Sequence, residues 1–243
     1  MSATLVTTPS FDSFPDDGVA IVFGAGGGIG SALLARLEAS PRFVRAIGFG
    51  RHTEPAIDLL DETGLQQAVG HAAAMAPIRL AIDATGFLHD THQGPEKSWR
   101  DLDGDRLARC FALNAIGPAL IMKHLLPILP RTGKAVFATL SARVGSIADN
   151  RLGGWYGYRA SKAALNQLVR TASVELARTH RDAICVALHP GTVDTPLSAP
   201  FAKAGLATQP PGEAADRLLQ VVETLGPGQS GGFFDHRSET VPW

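Results

Sequence analysis

The sequence predicts a doubly wound α/β domain, one parallel sheet with helices on both faces. Two observations predict it. Short, nearly continuous apolar runs alternate with longer stretches of helical period, the pattern of strands buried on both faces and joined by crossover helices. A cluster of glycines also falls between the first apolar run and the first helical stretch.

Residues 1–17 are rich in Ser, Thr, Pro and Asp and read as a flexible lead-in. The first strand is 19–23, Val-Ala-Ile-Val-Phe, and residues 31–39 form a helix packed through Ala32, Leu33, Ala35 and Leu37. A second apolar run spans 43–49, a second helix 65–75, and a third strand 78–83. After a polar stretch at 89–97, one long helical region is expected over 101–129. A strand at 134–140, a long helix at 155–179 and a strand at 183–189 follow. Residues 190–212 are irregular and rich in Pro and Gly, before a helix at 214–225 and a last strand at 232–234. No linker or repeat interrupts the alternation, so 18–243 is read as one domain.

The chain has 243 residues, 45% of them apolar, enough to fill a core on both sides of a sheet. Net charge is -1 and the basic residues are scattered, which argues against nucleic acid or an anionic membrane as partner. Cys110 and Cys185 stand far apart in apolar surroundings and read as small buried hydrophobes. The eight histidines show no metal-ligand spacing, and no metal site is expected. The start lacks the basic segment and long apolar run of a signal peptide, and no eighteen uninterrupted apolar residues occur. The expectation is a cytoplasmic protein without a membrane span.

The glycine cluster is Gly24-Ala25-Gly26-Gly27-Gly28-Ile29-Gly30. A strand-to-helix turn this tight needs residues that tolerate positive φ, and no Cβ can stand between the backbone and an approaching phosphate. The amide groups opening the helix then face that phosphate. The motif lies between a strand and a helix, the Rossmann-type context for dinucleotide binding. The second strand ends Gly48-Phe49-Gly50-Arg51. No acid is present there to hold the ribose hydroxyls of NAD, whereas Arg51 suits a ribose 2′-phosphate, so NADP(H) is favoured over NAD(H).

Tyr158 and Lys162 are four apart and share a helix face, whereas Tyr156 is four before Ala160. A phenol is a poor acid-base catalyst at neutral pH unless a neighbouring cation lowers its pKa. Lys162 is expected to do so. Further upstream, Pro118 has no N–H for the carbonyl of Asn114, which is left free for a water or a lysine.

These landmarks resemble the short-chain dehydrogenase/reductase family over about residues 19 to 243. The stretches Gly145-Ser146-Ile147 and 153–162, with the ending Gly232-Phe233-Phe234 to Pro242-Trp243, look most like the branch containing C-factor and sniffer-type carbonyl reductases. The resemblance implies cofactor contacts at Gly24, Gly26, Gly27, Gly28, Ile29, Gly30, Arg51, Asp58, Ala84, Gly86, Asn114, Tyr158, Lys162, Pro190, Gly191, Val193 and Thr195. Within that set Asp58 would contact the adenine ring and Thr195 the nicotinamide carboxamide. Lys162 would hold the nicotinamide ribose, and Asn114 would anchor a relay water through its main-chain carbonyl. Tyr158, Lys162, Asn114 and Ser141 are the implied catalytic set. The resemblance also implies a homodimer or homotetramer.

Three positions depart from the family pattern. Phe23 replaces a threonine before the glycine loop, and Asp83-Ala84-Thr85-Gly86 replaces Asn-Asn-Ala-Gly. The catalytic serine position falls on Ala142, leaving Ser141, one residue earlier, or Ser146 as candidates. A one-residue step along a strand points a side chain to the other face, so Ser141 serves only where the backbone bulges.

The expected function is NAD(P)-dependent reduction of a carbonyl to an alcohol, with Tyr158 as proton donor. The alternative is a non-catalytic dinucleotide-binding sensor or signalling protein of the same fold. Expected substrate-wall residues are His89, His92, Trp155, Leu197 and Phe201, with 196–211 as a lid.

Overall fold

The computed structural model describes residues 7–90, 94–201 and 208–243. Six strands form one sheet: β1 (Val19–Phe23), β2 (Arg45–Phe49), β3 (Ile78–Asp83), β4 (Ala135–Leu140), β5 (Ala183–His189) and β6 (Phe233–Asp235). Their order is β2-β1-β3-β4-β5-β6 and every neighbouring pair is parallel. The order reverses between β1 and β3. At that switch point the loops leaving the two strands diverge and open a crevice for a ligand.

The crossovers are α1 (Gly28–Glu38), α2 (Glu62–Ala73), α3 (Gly104–Phe111), α4 (Gly117–Leu125), α5 (Tyr156–Leu176) and α6 (Pro211–Thr224). Strand alternation divides the core in two. Val19, Ile21 and Phe23 of β1 face the layer that includes Leu65 of α2, Ile121 of α4 and Leu165 of α5. Ala20 and Val22 face the other side, where Leu33 of α1 and Leu218 and Leu219 of α6 lie. Cys110 and Cys185 are both buried, as their apolar surroundings predict.

The expected flexible lead-in is corrected over residues 7–17. Phe11 and Phe14 are buried and meet Phe43 edge-on at 5.2 and 5.8 Å between ring centroids. Ser13 bonds Glu223 and Thr8 bonds Asp216, both on α6. Two aromatic rings anchor a segment whose average composition is polar; residues 1–6 lie outside the described part.

The single helix expected over 101–129 is also corrected. A π turn at Ala112–Ile116 separates α3 from α4, with the Gly117 N–H reaching back to the Ala112 carbonyl. Pro118 offers no N–H to continue the α ladder, and one wide turn absorbs the defect. By length and composition Gly104–Ile128 could cross a membrane. Here its apolar side, including Ile121, Met122 and Leu125, is buried in the layer shared with α2 and α5.

Candidate active site

The crevice at the switch point is floored by the glycine turn. Gly24 takes φ +77°, and a Cβ there would lie 2.9 Å from the Ala84 backbone at the end of β3. A Cβ at Gly30 would lie 2.1 Å from the Gly24 carbonyl oxygen, so α1 can approach the turn this closely only without one. At Gly26 an added Cβ meets nothing within 4 Å. Gly27 provides no side-chain cap for α1, and no acid occupies its first turn. The first amides of α1 therefore offer donors and the positive end of the helix dipole to an anion.

The other predicted cofactor residues surround this turn. An added Cβ at Gly28 would lie 2.9 Å from Thr195 Cγ2, which brings the 190–195 loop over the start of α1. Gly191 takes φ +79°, and Gln209 Nε2 donates to the Pro190 carbonyl at 2.6 Å. Val193 is buried and forms a bridge with Gln209. Arg51 is exposed just past β2. Asp58, also exposed, accepts from the Leu60 N–H at 2.9 Å and closes a turn on the same edge. Together these features fit a dinucleotide phosphate at α1 and a charged ribose at β2.

A second set of groups converges beside Gly86. An added Cβ there would lie 3.8 Å from Asn114 Oδ1 and 3.9 Å from Lys162 Nζ. Lys162 is 2% exposed, and its Nζ donates to the Leu140 carbonyl at 2.7 Å. The Asn114 side chain clamps Phe87, donating to its carbonyl at 2.8 Å and accepting from its N–H at 2.7 Å. Asn114 Nδ2 also donates to Ser161 Oγ at 3.1 Å, and that hydroxyl donates to the Tyr158 carbonyl at 2.9 Å. The β3 loop, the π turn and the first turns of α5 are thus tied at one point.

The match to the family model described as enoyl-(acyl carrier protein) reductase covers residues 38–215, well over half of the chain. The chain belongs to the short-chain dehydrogenase/reductase family. It is 39% identical over 143 residues to the C-signal of Myxococcus xanthus, covering 59% of this chain and 82% of that one. Its fold resembles the carbonyl reductase Sniffer of D. melanogaster, with a TM-score of 0.79, 21% identity and coverage of 93% and 99%. It also resembles an NADPH-bound carbonyl reductase from chicken fatty liver, with a TM-score of 0.80, 23% identity and coverage of 94% and 100%.

In this short-chain dehydrogenase/reductase, the electrostatics of the tyrosine-lysine pair differ from the sequence expectation. Burial pushes the Tyr158 phenol up to about 12, with Cys110 adding to the rise. Burial likewise pushes Lys162 down to about 8, against the opposing pull of Asp83. Desolvation is the largest cause of both shifts, and the ammonium donates to the Leu140 carbonyl.

Asp83 has a role that the loss of the family's amide conceals. It is buried and accepts from the Thr85 N–H and hydroxyl at 3.0 and 2.6 Å and from the Thr139 hydroxyl at 2.6 Å. It therefore pins the ends of β3 and β4 together while favouring the charged form of Lys162. Only an acid at the end of a buried strand hints at this in the sequence. Ser161 and Asn166 leave no such hint.

The two candidate serines lie in different settings. Ser146 Oγ accepts from the Asp149 N–H at 3.1 Å and caps a loop. Ser141 Oγ donates to Asn166 Oδ1 at 2.6 Å, with both residues buried. Two consecutive residues at the end of β4, Leu140 and Ser141, are therefore bonded to Lys162 and Asn166, one helical turn apart on α5. This staple aligns the strand end with the lysine. Ser141→Ala is expected to cost about 1 kcal/mol of stability for one buried hydrogen bond. Turnover should fall less than about tenfold, whereas loss of an oxyanion donor would cost roughly 10²–10³. Steady-state kinetics and thermal melting of the variant separate the two roles.

Of the expected substrate-wall residues, Trp155 meets Tyr158, Phe201 meets Trp155 and His89 meets Phe201, a row of rings that starts at Tyr158. Leu197 is half-buried in the same post-β5 segment. His92 lies outside the described residues, as does 202–207 of the expected lid.

Proposed function

We propose that this protein is an NADP(H)-dependent carbonyl reductase in which Tyr158 protonates the oxygen of the substrate. The carrying observation is the convergence of Lys162, Asn114 and Gly86 beside an anion-ready glycine turn, with Tyr158 on the same helix face as Lys162. When bound, the nicotinamide supplies the hydride.

The chain's own part is placement and proton supply. The α1 amides and Thr195 hold one end of the dinucleotide, and Asp58 and Arg51 hold the adenosine end. Lys162 is placed to hold ribose hydroxyls near Gly86. Tyr158, with its pKa raised to about 12, is a neutral phenol at pH 7 and so is in the protonation state a donor needs. Its proton passes to the carbonyl oxygen as negative charge develops there. A buried ammonium nearby stabilises the phenolate left behind.

The NADPH-bound state of the chicken liver relative supports the choice of phosphate-bearing cofactor, as does Arg51. Arg51→Ala is expected to raise the KM for NADPH by roughly tenfold or more while changing that for NADH little, because a charge-assisted pair to phosphate is lost. We read the protein further as a cytoplasmic homo-oligomer. The exposed Leu168 and Val174 of α5 supply apolar surface for a second copy, and light scattering of the purified chain measures its mass.

The reading is tested by NADPH oxidation across a panel of ketones and aldehydes. An enoyl thioester belongs in the panel because of the description attached to the family model. Carbonyl-dependent oxidation is the expected result. Saturable NADPH binding without turnover of any carbonyl would instead favour the non-catalytic sensor.

A further inference from the structure

The row of rings that starts at Tyr158 comes from three loops at the carboxyl end of the sheet. His89 follows β3, Trp155 lies between β4 and α5, and Phe201 follows β5. All three loops leave the carboxyl ends of parallel strands, where ligands bind in open α/β sheets. Phe201 meets Trp155 at 5.2 Å and 64° and meets His89 at 5.4 Å and 69°. Trp155 in turn meets the Tyr158 ring at 6.2 Å and 68°. Each of the three is only half-buried, so packing accounts for part of each ring's surface and leaves the rest uncovered.

The backbone under Trp155 is strained. Gly153, Gly154 and Trp155 take φ values of 62°, 65° and 55° in succession. Glycine accepts the left-handed region freely, but a bulky aromatic residue does not. Neighbouring contacts hold it there. The Trp155 N–H donates to the Glu96 carbonyl at 2.5 Å, and the Glu96 carboxylate accepts from the Gly157 N–H at 3.2 Å. Glu96 is itself buried and paired with Arg106 at 3.1 Å. Strain at a bulky residue persists when the surroundings over-determine it, and such positions cluster at ligand clamps.

We infer that Trp155, Phe201 and His89 form a recess for a planar ring conjugated to the reacting carbonyl, so that the substrate class is aryl ketones and aldehydes. This rests on the proposed carbonyl reduction at Tyr158. Aromatic rings prefer edge-to-face or offset contact, the geometry these rings already adopt with one another at 64° and 69°, and a planar substrate ring would extend the same row. A saturated ring of equal size fills the space without those contacts. Glu96 acts as a positioning residue, keeping the indole over the cleft through backbone bonds.

The test compares kcat/KM for acetophenone and cyclohexyl methyl ketone with NADPH, in the parent enzyme and in Trp155→Leu and Phe201→Leu. The aryl ketone should be preferred by roughly tenfold, and each substitution should cut that ratio by about threefold or more. Phe201→Leu keeps the test sound where Trp155→Leu fails to fold. A parent ratio near one, or a ratio that survives the substitutions, overturns the inference and leaves carbonyl reduction standing. Absence of turnover on every carbonyl overturns the carbonyl-reduction reading as well.

Discussion

Tyr158→Phe should lower carbonyl turnover by roughly 10²–10⁴ while leaving NADPH affinity and melting temperature close to those of the parent. The substitution removes one oxygen and keeps the ring that packs against Trp155. The hydroxyl of the staple, Ser141, donates to Asn166. The pH profile gives a second signature. With its pKa raised to about 12, Tyr158 stays protonated through neutral pH, whereas Lys162 loses its charge near 8. Reduction should therefore be flat below pH 7 and decline as pH rises through about 8, following the lysine. Turnover within tenfold of the parent would sink the assignment of Tyr158 as donor.

Lys162→Met should move activity and stability in opposite directions. Turnover is expected to fall at least roughly 10²-fold, since the variant can neither hold the ribose nor stabilise the phenolate. Stability at pH 7 should rise. The buried ammonium has a folded-state pKa of about 8, below its ordinary 10.5, so the folded protein holds that charge at a cost. Between these two pH values the unfolded chain binds more protons than the folded one, and parent stability increases with pH. Below pH 8 the cost is fully present, roughly 3 kcal/mol at 1.36 kcal/mol per pKa unit. Losing the bond to the Leu140 carbonyl returns about 1 kcal/mol of this. The net gain of about 2 kcal/mol corresponds to a rise in melting temperature of roughly 4–8 °C at this chain length. The gain should vanish above about pH 10.5. Melting curves at pH 7 and 10.5 check both parts, and a variant less stable than the parent at pH 7 would show that the charge is well compensated.

Much of the fold was legible because its signals are local. The six strands, all but the edge strand β2 buried, announce themselves as apolar runs, and the glycine turn carries its own geometric demand at Gly24 and Gly30. Pro118 likewise marks an interruption of the helix, although the form it takes, a π turn, depends on what α3 and α4 pack against. Residues 7–17 look flexible by composition because an average hides two phenylalanines whose partner, Phe43, is distant in sequence.

The amino-acid order by itself determined the α/β alternation, the anion-ready turn and the four-residue spacing that puts Tyr158 and Lys162 on one helix face. Tertiary structure alone decided how those groups are charged and what supports them. Burial raises the phenol and lowers the ammonium, Asp83 opposes the second shift, and Ser141 is drawn to Asn166. Periodicity reports which way a side chain faces along its own element. Solvation and pairing depend on elements that meet only after folding, because the field at each group is the sum over neighbours far away in the chain.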